Sequence, residues 1–219
     1  MNTQSTCPLI SEWHRMSSSL PVYSGTNYIR WGKKSCPFTA KLIYEGQIVG
    51  KDHRAVGGGT NYLCLPDDPQ YDLRYAFSNR NAAIGVFLRG TMYRGFGNTV
   101  IDGRVPCVAC ETNRRVNRIM IPAKTSCPSN DWTLEYQGFI MSMVEHNGQG
   151  DKDLFDDAFY ATSYVCVDSD AEILPNSYQP HNDGSLIYMV GADCSGIGAM
   201  RNCSPYKQGA VLLCVVCSK

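Results

Sequence analysis

The stretch from Cys107 to Pro128 reads C-V-A-C-E-T-N-R-R-V-N-R-I-M-I-P-A-K-T-S-C-P and joins two halves of the chain. Its first motif, C-V-x-C, returns at Cys214–Cys217, and its last, S-C-P, occurs earlier at Ser35–Pro37. Each half carries four motifs in the same order. They are S-C-P, L-x-Y-x-G, Y-x-C and C-V-x-C, beginning at Ser35, Leu42, Tyr62 and Cys107, and again at Ser126, Leu134, Tyr164 and Cys214.

This shared order predicts a tandem duplication, because four motifs rarely recur in sequence by chance. Cys127 lies 91 residues after Cys36, whereas Cys214 lies 107 residues after Cys107, so the second copy carries added loop residues. We expect an N-terminal tail over residues 1–26, a first repeat over 27–118 and a second over 119–219. The linker, Glu111–Cys127, is short, which favours two repeats packed as one unit.

The composition is that of an ordinary globular protein, with 219 residues, 43% of them hydrophobic and 18% charged. Twenty basic residues balance twenty acidic ones, which gives no electrostatic reason to expect nucleic acid as a partner. No apolar run approaches the roughly 18 residues that a membrane span needs, so we expect no membrane insertion. The N-terminus lacks the basic start and apolar centre of a signal peptide.

Short segments rich in β-branched and aromatic residues predict strands. No segment keeps a helical apolar period over three turns, so the predicted class is all-β, with two tandem homologous disulfide-rich subdomains packed as one unit. Between Gln70 and Gly103 the pattern is weak, and we expect one or two strands there. The other strands are predicted at Tyr28–Gly32, Leu42–Val49, Asn61–Leu65, Leu134–Val144 (a strand pair), Tyr164–Val167, Leu186–Val190 and Ala210–Cys217.

Eleven cysteines, most of them in two parallel sets, indicate a disulfide framework and an oxidising compartment. We therefore expect a secreted protein whose signal peptide has been removed. A redox or zinc pair is disfavoured at C-V-x-C, because such pairs lie on turns or helix starts, whereas Val and Ala here favour extended backbone.

On a strand, residues three apart face opposite sides and lie about 10 Å apart, too far for a direct bridge. Each C-V-x-C should therefore bind two different partners. In the first half these are either Cys36 with Cys110 and Cys64 with Cys107, or the crossed alternative, and the second half offers the same choice. Cys194 and Cys203 form a local pair in a Gly-rich loop. Cys7 is left over, either as an interchain link or as a free thiol.

The sequence of the junction resembles a known family. The run C-V-A-C-E followed by M-I-P-A-K-T-S-C-P-S-N-D-W-T-L-E-Y-Q-G-F-I-M-S is similar to the join between the two halves of the C-terminal non-collagenous domain of type IV collagen. There, a C-x-V-C ends the first half and a C-P-S-G-W begins the second. The likeness is closer still to the C-terminal domains of spongin-like short-chain collagens of marine invertebrates. It covers about residues 28–219 and is strongest at the cysteines.

The resemblance implies an all-β fold of two similar subdomains and one choice of disulfide pairs. The implied bridges are Cys36–Cys110, Cys64–Cys107, Cys127–Cys217, Cys166–Cys214 and Cys194–Cys203. The family also exchanges a long hairpin between neighbouring chains, but here the segment between Cys203 and Cys214 is too short to hold it.

Two functions are consistent with these features. The first is a secreted structural domain of the extracellular matrix that self-associates as a homo-oligomer and binds matrix chains. The alternative is a secreted lectin-like protein, because thirteen Tyr and three Trp could stack on glycans. An enzyme is disfavoured, since the four histidines are scattered and no H-E-x-x-H or G-x-S-x-G motif occurs.

No cofactor is expected, with calcium as a weak possibility. Asp168, Asp170 and Glu172 place three carboxylates close together in sequence. Carboxylate oxygens are the ligands that calcium prefers, but this stretch lacks the Gly and the twelve-residue spacing of an EF-hand loop.

Overall fold

The computed structural model describes residues 25–53, 59–71, 88–95, 102–143, 162–178, 184–194 and 204–219. These residues form ten β-strands and no helix, which confirms the all-β class. The strands are β1 (Asn27–Trp31), β2 (Ala40–Gly50), β3 (Leu63–Pro66), β4 (Arg89–Arg94), β5 (Pro106–Thr112), β6 (Arg118–Pro122), β7 (Thr133–Ser142), β8 (Val165–Asp168), β9 (Ser185–Met189) and β10 (Leu213–Ser218).

All ten strands belong to one sheet in the order β6-β10-β7-β8-β1-β5-β2-β4-β9, with β3 paired to β2. A further pairing of β7 with β9 joins distant parts of this order. Most neighbours are antiparallel. The two parallel pairings, β1 with β8 and β4 with β9, both join a strand of the first half to a strand of the second.

Two strand predictions were wrong. The predicted linker contains β6, whose five residues pair with β10 along their whole length. Leu134–Val144, predicted as a strand pair, is a single strand, β7, because Gly138 continues the extended backbone without a turn.

The two halves repeat one pairing scheme. In the first half, β2 pairs with β5, β3 and β4, and β1 lies on the other edge of β5. In the second half, β7 pairs with β10, β8 and β9, and β6 lies on the other edge of β10. An irregularity in register also recurs at one place, opposite Cys110 in β5 and opposite Cys217 in β10.

Backbone hydrogen bonds outside the ladders match as well. There are four pairs of equivalent bonds, each bond running from N–H to carbonyl oxygen. With the first-half bond given first, they are Gly32–Pro106 with Ala123–Leu213; Ile48–Val105 with Ile140–Leu212; Asp67–Glu45 with Ser169–Gln137; and Tyr93–Gly103 with Ala192–Ala210. Gly32 and Ala123 also share a positive φ, 87° and 57°. These matches define which residues of the two halves are equivalent, while a common origin of the halves stays a prediction.

The L-x-Y-x-G motif has the same role in both halves. The Tyr44 hydroxyl donates to the Cys64 carbonyl at 3.3 Å, and the Tyr136 hydroxyl donates to the Cys166 carbonyl at 2.9 Å. The glycine that ends each motif lies against the strand whose carbonyl accepts this hydrogen bond, β3 in the first half and β8 in the second. A Cβ on Gly46 would come within 1.9 Å of one backbone oxygen, and a Cβ on Gly138 within 1.7 Å of the equivalent oxygen.

Four disulfides link described residues, each with one cysteine in β5 or β10: Cys36–Cys110, Cys64–Cys107, Cys127–Cys217 and Cys166–Cys214. They are the same pairs that the resemblance implies. Their Cα–Cα distances are 5.8–5.9 Å, within the usual range for a bridge. Cys194 is also disulfide-bonded, but Cys203 lies outside the described residues, as do Cys7 and residues 1–24 of the predicted tail.

Two hydrophobic clusters form the interior, and each draws residues from both halves. Cys107 lies in a cluster with Ile48, Tyr93, Met141 and Ile187. Cys110, three residues further along β5, lies in the other cluster, which also contains Tyr28, Val108, Tyr136, Ile140, Cys166 and Cys214. The two halves therefore share their cores. In the described part, no helix is long and apolar enough to cross a membrane.

We expect Gly46→Ala and Gly138→Ala to destabilise the protein by similar amounts, roughly 1–3 kcal/mol each, because the added methyl group would overlap a backbone oxygen. Urea unfolding followed by tryptophan fluorescence measures the change. The control is Gly59→Ala, since nothing lies within 4 Å of a Cβ at that position. Equal stability of all three variants would contradict the close approach of strands seen at the two motifs.

Candidate functional site

The two halves meet where β1 ends. The Gly32 carbonyl oxygen accepts a hydrogen bond of 2.8 Å from the Glu172 N–H, and the Arg104 carbonyl accepts one of 3.0 Å from the Leu174 N–H. Between these bonds, Ile173 packs on Gly103, where a Cβ would come within 2.3 Å of the Ile173 side chain. We call residues 168–174 the docked segment, and the surface formed by residues 31–33, 93 and 103–106 the first cleft.

Charged side chains strengthen this contact. Arg30 pairs with Asp168 at 2.7 Å, and Lys33 Nζ lies 2.8 Å from the Asp170 carboxylate and 3.1 Å from that of Glu172. Lys33 also donates to the Asp170 carbonyl at 2.9 Å. The side chain of Lys33 is only 10% exposed, so its ammonium group would be costly to bury without these oxygens.

Ionisation in the first cleft reflects these contacts. Burial alone would lower the pKa of Lys33, but its hydrogen bonds to Asp170 and Glu172 raise the pKa above the usual lysine value. Burial would raise the pKa of Glu172, yet hydrogen bonds from Lys33 and from the Lys34 N–H, with the charges of both lysines, lower it. The Lys33 hydrogen bond and charge likewise lower the pKa of Asp170.

The carboxylates considered as calcium ligands therefore hold lysine and arginine instead. Asp168 binds Arg30, while Asp170 and Glu172 bind Lys33. A cation would have to displace these groups, whose own positive charge repels it. Within the described ranges, no group of three or more His, Cys, Asp or Glu residues could hold a metal ion.

The second half presents an equivalent surface that is open. We call it the second cleft. Its volume is about 450 Å³. Its lining is mostly apolar and consists of Pro122, Ala123, Lys124, Ala192, Pro205, Tyr206, Lys207, Ala210, Val211, Leu212 and Leu213. Ala123, Lys124, Ala210 and Val211 correspond to Gly32, Lys33, Gly103 and Arg104 of the first cleft.

Burial differs sharply between the two clefts. Gly32, Lys33 and Gly103 are buried beneath the docked segment. In the second cleft, Lys124 and Ala210 are exposed, as are the apolar side chains of Val211 (43%) and Leu213 (38%). Ala192 also replaces the large Tyr93, which removes a ring from the wall and leaves room for a side chain from outside.

The first half carries an equivalent of the docked segment that is also exposed. Asp67 and Ser169 make the same backbone bond to β2 and β7, and Pro66 and Asp168 pair with the equivalent glycines, so these residues correspond. Continuing the same offset along the sequence matches residues 68–71 to residues 170–173. Asp67 to Tyr71 are all exposed, and Tyr71 is 76% exposed. We call Pro66–Tyr71 the free segment.

A buried carboxylate joins the halves on the other side of the sheet. Glu135, whose side chain has no exposed surface, accepts hydrogen bonds from Tyr28 at 2.8 Å, Thr39 at 2.9 Å and Arg115 at 3.0 Å, and another from Ser218. Tyr28, Thr39 and Arg115 belong to the first half. The carboxylate is thus fully hydrogen-bonded, and it fixes β1 and the loop before β2 against β7.

Sequence reasoning did not identify Lys33, Lys124 or either cleft. The signal was present in the repeats, because Gly32-Lys33-x-Ser35-Cys36-Pro37 is matched by Ala123-Lys124-x-Ser126-Cys127-Pro128. This extension of the S-C-P motif places a lysine after the positive-φ residue in each half.

No family model and no curated protein sequence matches this chain.

We expect Glu172→Gln to lower the free energy of unfolding by roughly 1 kcal/mol at neutral pH, because the carboxylate pairs with Lys33 across the halves. Folding lowers the pKa of Glu172, so its contribution is complete above the unfolded-state pKa and disappears as pH falls through the folded pKa. Stability curves from pH 7 downward should therefore converge for the two proteins only when the pH falls well below the ordinary glutamate pKa of about 4.3. Glu45→Gln, at an exposed glutamate, is the control, and a pH-independent difference for Glu172→Gln would contradict the ion pair.

Proposed function

We propose that this protein is a secreted structural domain that associates with copies of itself and with other matrix chains. The observation that carries this proposal is the exposed, largely apolar second cleft, whose equivalent in the first half is covered by a segment of the other half of the same chain. Contiguous exposed apolar surface on a folded protein is typical of interaction sites. The fold supplies a rigid support for such a surface.

The disulfide framework supports an extracellular location. Four bridges among the described residues are consistent with an oxidising compartment, where such bridges persist. Each closes a loop of 43–90 residues, and bridges of that size stabilise a domain by about 4 kcal/mol each in the chain-entropy account. Such durability suits a protein that functions in the matrix, and it agrees with the resemblance to non-collagenous collagen domains.

The edge of the sheet also favours association. β6 is the end strand of the described sheet order, and two of its apolar residues, Ile119 and Met120, are 42% and 36% exposed. Natural proteins usually cover or charge such edges, because unpaired backbone groups pair readily with another chain. The equivalent edge of β1 is paired with β8.

The lectin alternative has less support. Trp31 and Trp132 are partly buried, and the hydroxyls of Tyr28 and Tyr136 are bonded within the protein. Burial and internal hydrogen bonds therefore occupy part of each ring, although Tyr28, Trp31 and Tyr136 line an open groove with Tyr164. The carbohydrate-binding role stays an untested prediction.

Sedimentation velocity over increasing protein concentration tests self-association. We expect species larger than the monomer to accumulate with concentration, since exposed apolar surface is covered on association. A protein that stays strictly monomeric, also with calcium or chloride added, would contradict the proposed function. A glycan array is the parallel test of the alternative, for which no binding above background is expected.

A further inference from the structure

We propose that the second cleft of one copy binds the free segment, Pro66–Tyr71, of another copy, so that copies associate head to tail. This inference rests on the proposed function of self-association and specifies its contact. It follows from a mismatch inside the chain. The two clefts are equivalent to each other, and the two segments are equivalent to each other. Within one molecule, however, only the first cleft and the docked segment are joined.

The backbone of the second cleft offers the acceptors that the contact needs. In the first cleft, the carbonyls of Gly32 and Arg104 accept the two hydrogen bonds from the docked segment. The carbonyls of Ala123 and Val211 occupy the equivalent positions, as their matched hydrogen bonds and β-bridges show. The free segment can donate to the first of them, because Gln70 corresponds to Glu172 and its N–H lies in the position that faces the Ala123 carbonyl.

Charge is also complementary. Lys124 corresponds to Lys33, and Asp68 of the free segment corresponds to Asp170, the partner of Lys33 at 2.8 Å. Both Lys124 and Asp68 are exposed. Docking brings them together as the equivalent ion pair, and Lys207, another residue of the second cleft, adds positive charge toward Asp67 and Asp68.

The shapes differ from those of the first cleft in a compensating way. Ala123 and Ala210 replace glycines and raise the floor of the second cleft, while Ala192 replaces Tyr93 and widens it. The side chain that would enter also changes, from Ile173 to Tyr71. A flat ring suits a wide, shallow cleft of about 450 Å³, whereas the branched Ile173 fits over Gly103.

The contact joins different copies because, within one molecule, the free segment is exposed and is not part of the lining of the second cleft. The free segment follows β3, which pairs with β2, and the second cleft lies beside β6 and β10 at the end of the sheet order. Since cleft and segment are different patches, the contact is heterologous. Two copies joined in this way still have one unused second cleft and one unused free segment. Further copies can therefore add until the assembly closes into a ring or extends as an open chain.

Single and double charge reversals test the pairing. We expect Lys124→Glu and Asp68→Lys each to weaken association by about tenfold or more, measured by sedimentation equilibrium, because each places like charges together. The double variant, Lys124→Glu with Asp68→Lys, should restore much of the affinity. Lys41→Glu, at an exposed lysine outside both surfaces, is the control.

Mixing separates a heterologous contact from a symmetric one. Tyr71→Ala leaves the second cleft intact, and Lys124→Glu leaves the free segment intact. At a concentration just sufficient to assemble the wild type, each variant alone should remain mostly monomeric, and their mixture should form a 1:1 pair that grows no further. Tyr178→Ala, at another exposed tyrosine (65%), should associate like the wild type. All variants should keep the wild-type unfolding midpoint, because the changed side chains are exposed.

The outcomes distinguish this inference from the proposed function. Wild-type protein that assembles while Tyr71→Ala and Lys124→Glu assemble equally well would overturn the head-to-tail contact and leave self-association in place. A wild type that never assembles would overturn both. Failure of the two variants to complement each other when mixed, with each alone monomeric, would also overturn the heterologous contact.

Discussion

The fold depends on the alternation of side chains along two strands, β5 and β10. Cysteines three residues apart on a strand face opposite sides, so Cys107 and Cys110 enter different hydrophobic clusters. Each strand is therefore fixed from both faces by bridges to remote parts of the chain. Because both clusters contain residues of both halves, this bracing holds the entire sheet and not one half alone.

Equivalent halves do not have equivalent surroundings. Inside one chain, the first cleft is covered by the docked segment, and its Lys33 is nearly buried with two carboxylates as partners. The second cleft has the same backbone, yet its Lys124 faces solvent. Within one chain, the first cleft is joined to the docked segment, whereas the second cleft and the free segment both remain exposed. Of the residues that form the first cleft, Lys33 keeps its identity in the second, whereas Gly32, Tyr93 and Gly103 become Ala123, Ala192 and Ala210.

Much of the fold was predictable from local pattern, and the failures have physical causes. Strands β1, β2, β3, β7, β8, β9 and β10 overlap the predicted segments, because β-branched and aromatic residues there are half-buried in a sheet. The strand β6 was missed because R-I-M-I-P is an edge strand with nearly all of its residues exposed, so it shows no alternation of burial. The acidic group at Asp168–Glu172 suggests a calcium site because local sequence shows neighbouring carboxylates but not Lys33, which is more than 130 residues away in sequence.

The proposed contact between copies must be weaker than the one within the chain. Arg30 and Asp168, which pair at 2.7 Å in the first cleft, have Ile121 and Pro66 as their equivalents, so a partly buried ion pair is replaced by apolar contact. The backbone of the docked segment is also held in place by β8, which lowers the entropy lost on docking, whereas separate copies lose translational freedom as well. What remains is one main-chain bond, from Gln70 to Ala123, one aromatic ring and the pair of Lys124 with Asp68. A contact of this size stays reversible, and the exposed ion pair makes it sensitive to salt. The stability of the assembly then depends on the number of contacts that hold it, because in a closed ring each copy is held by two contacts at once.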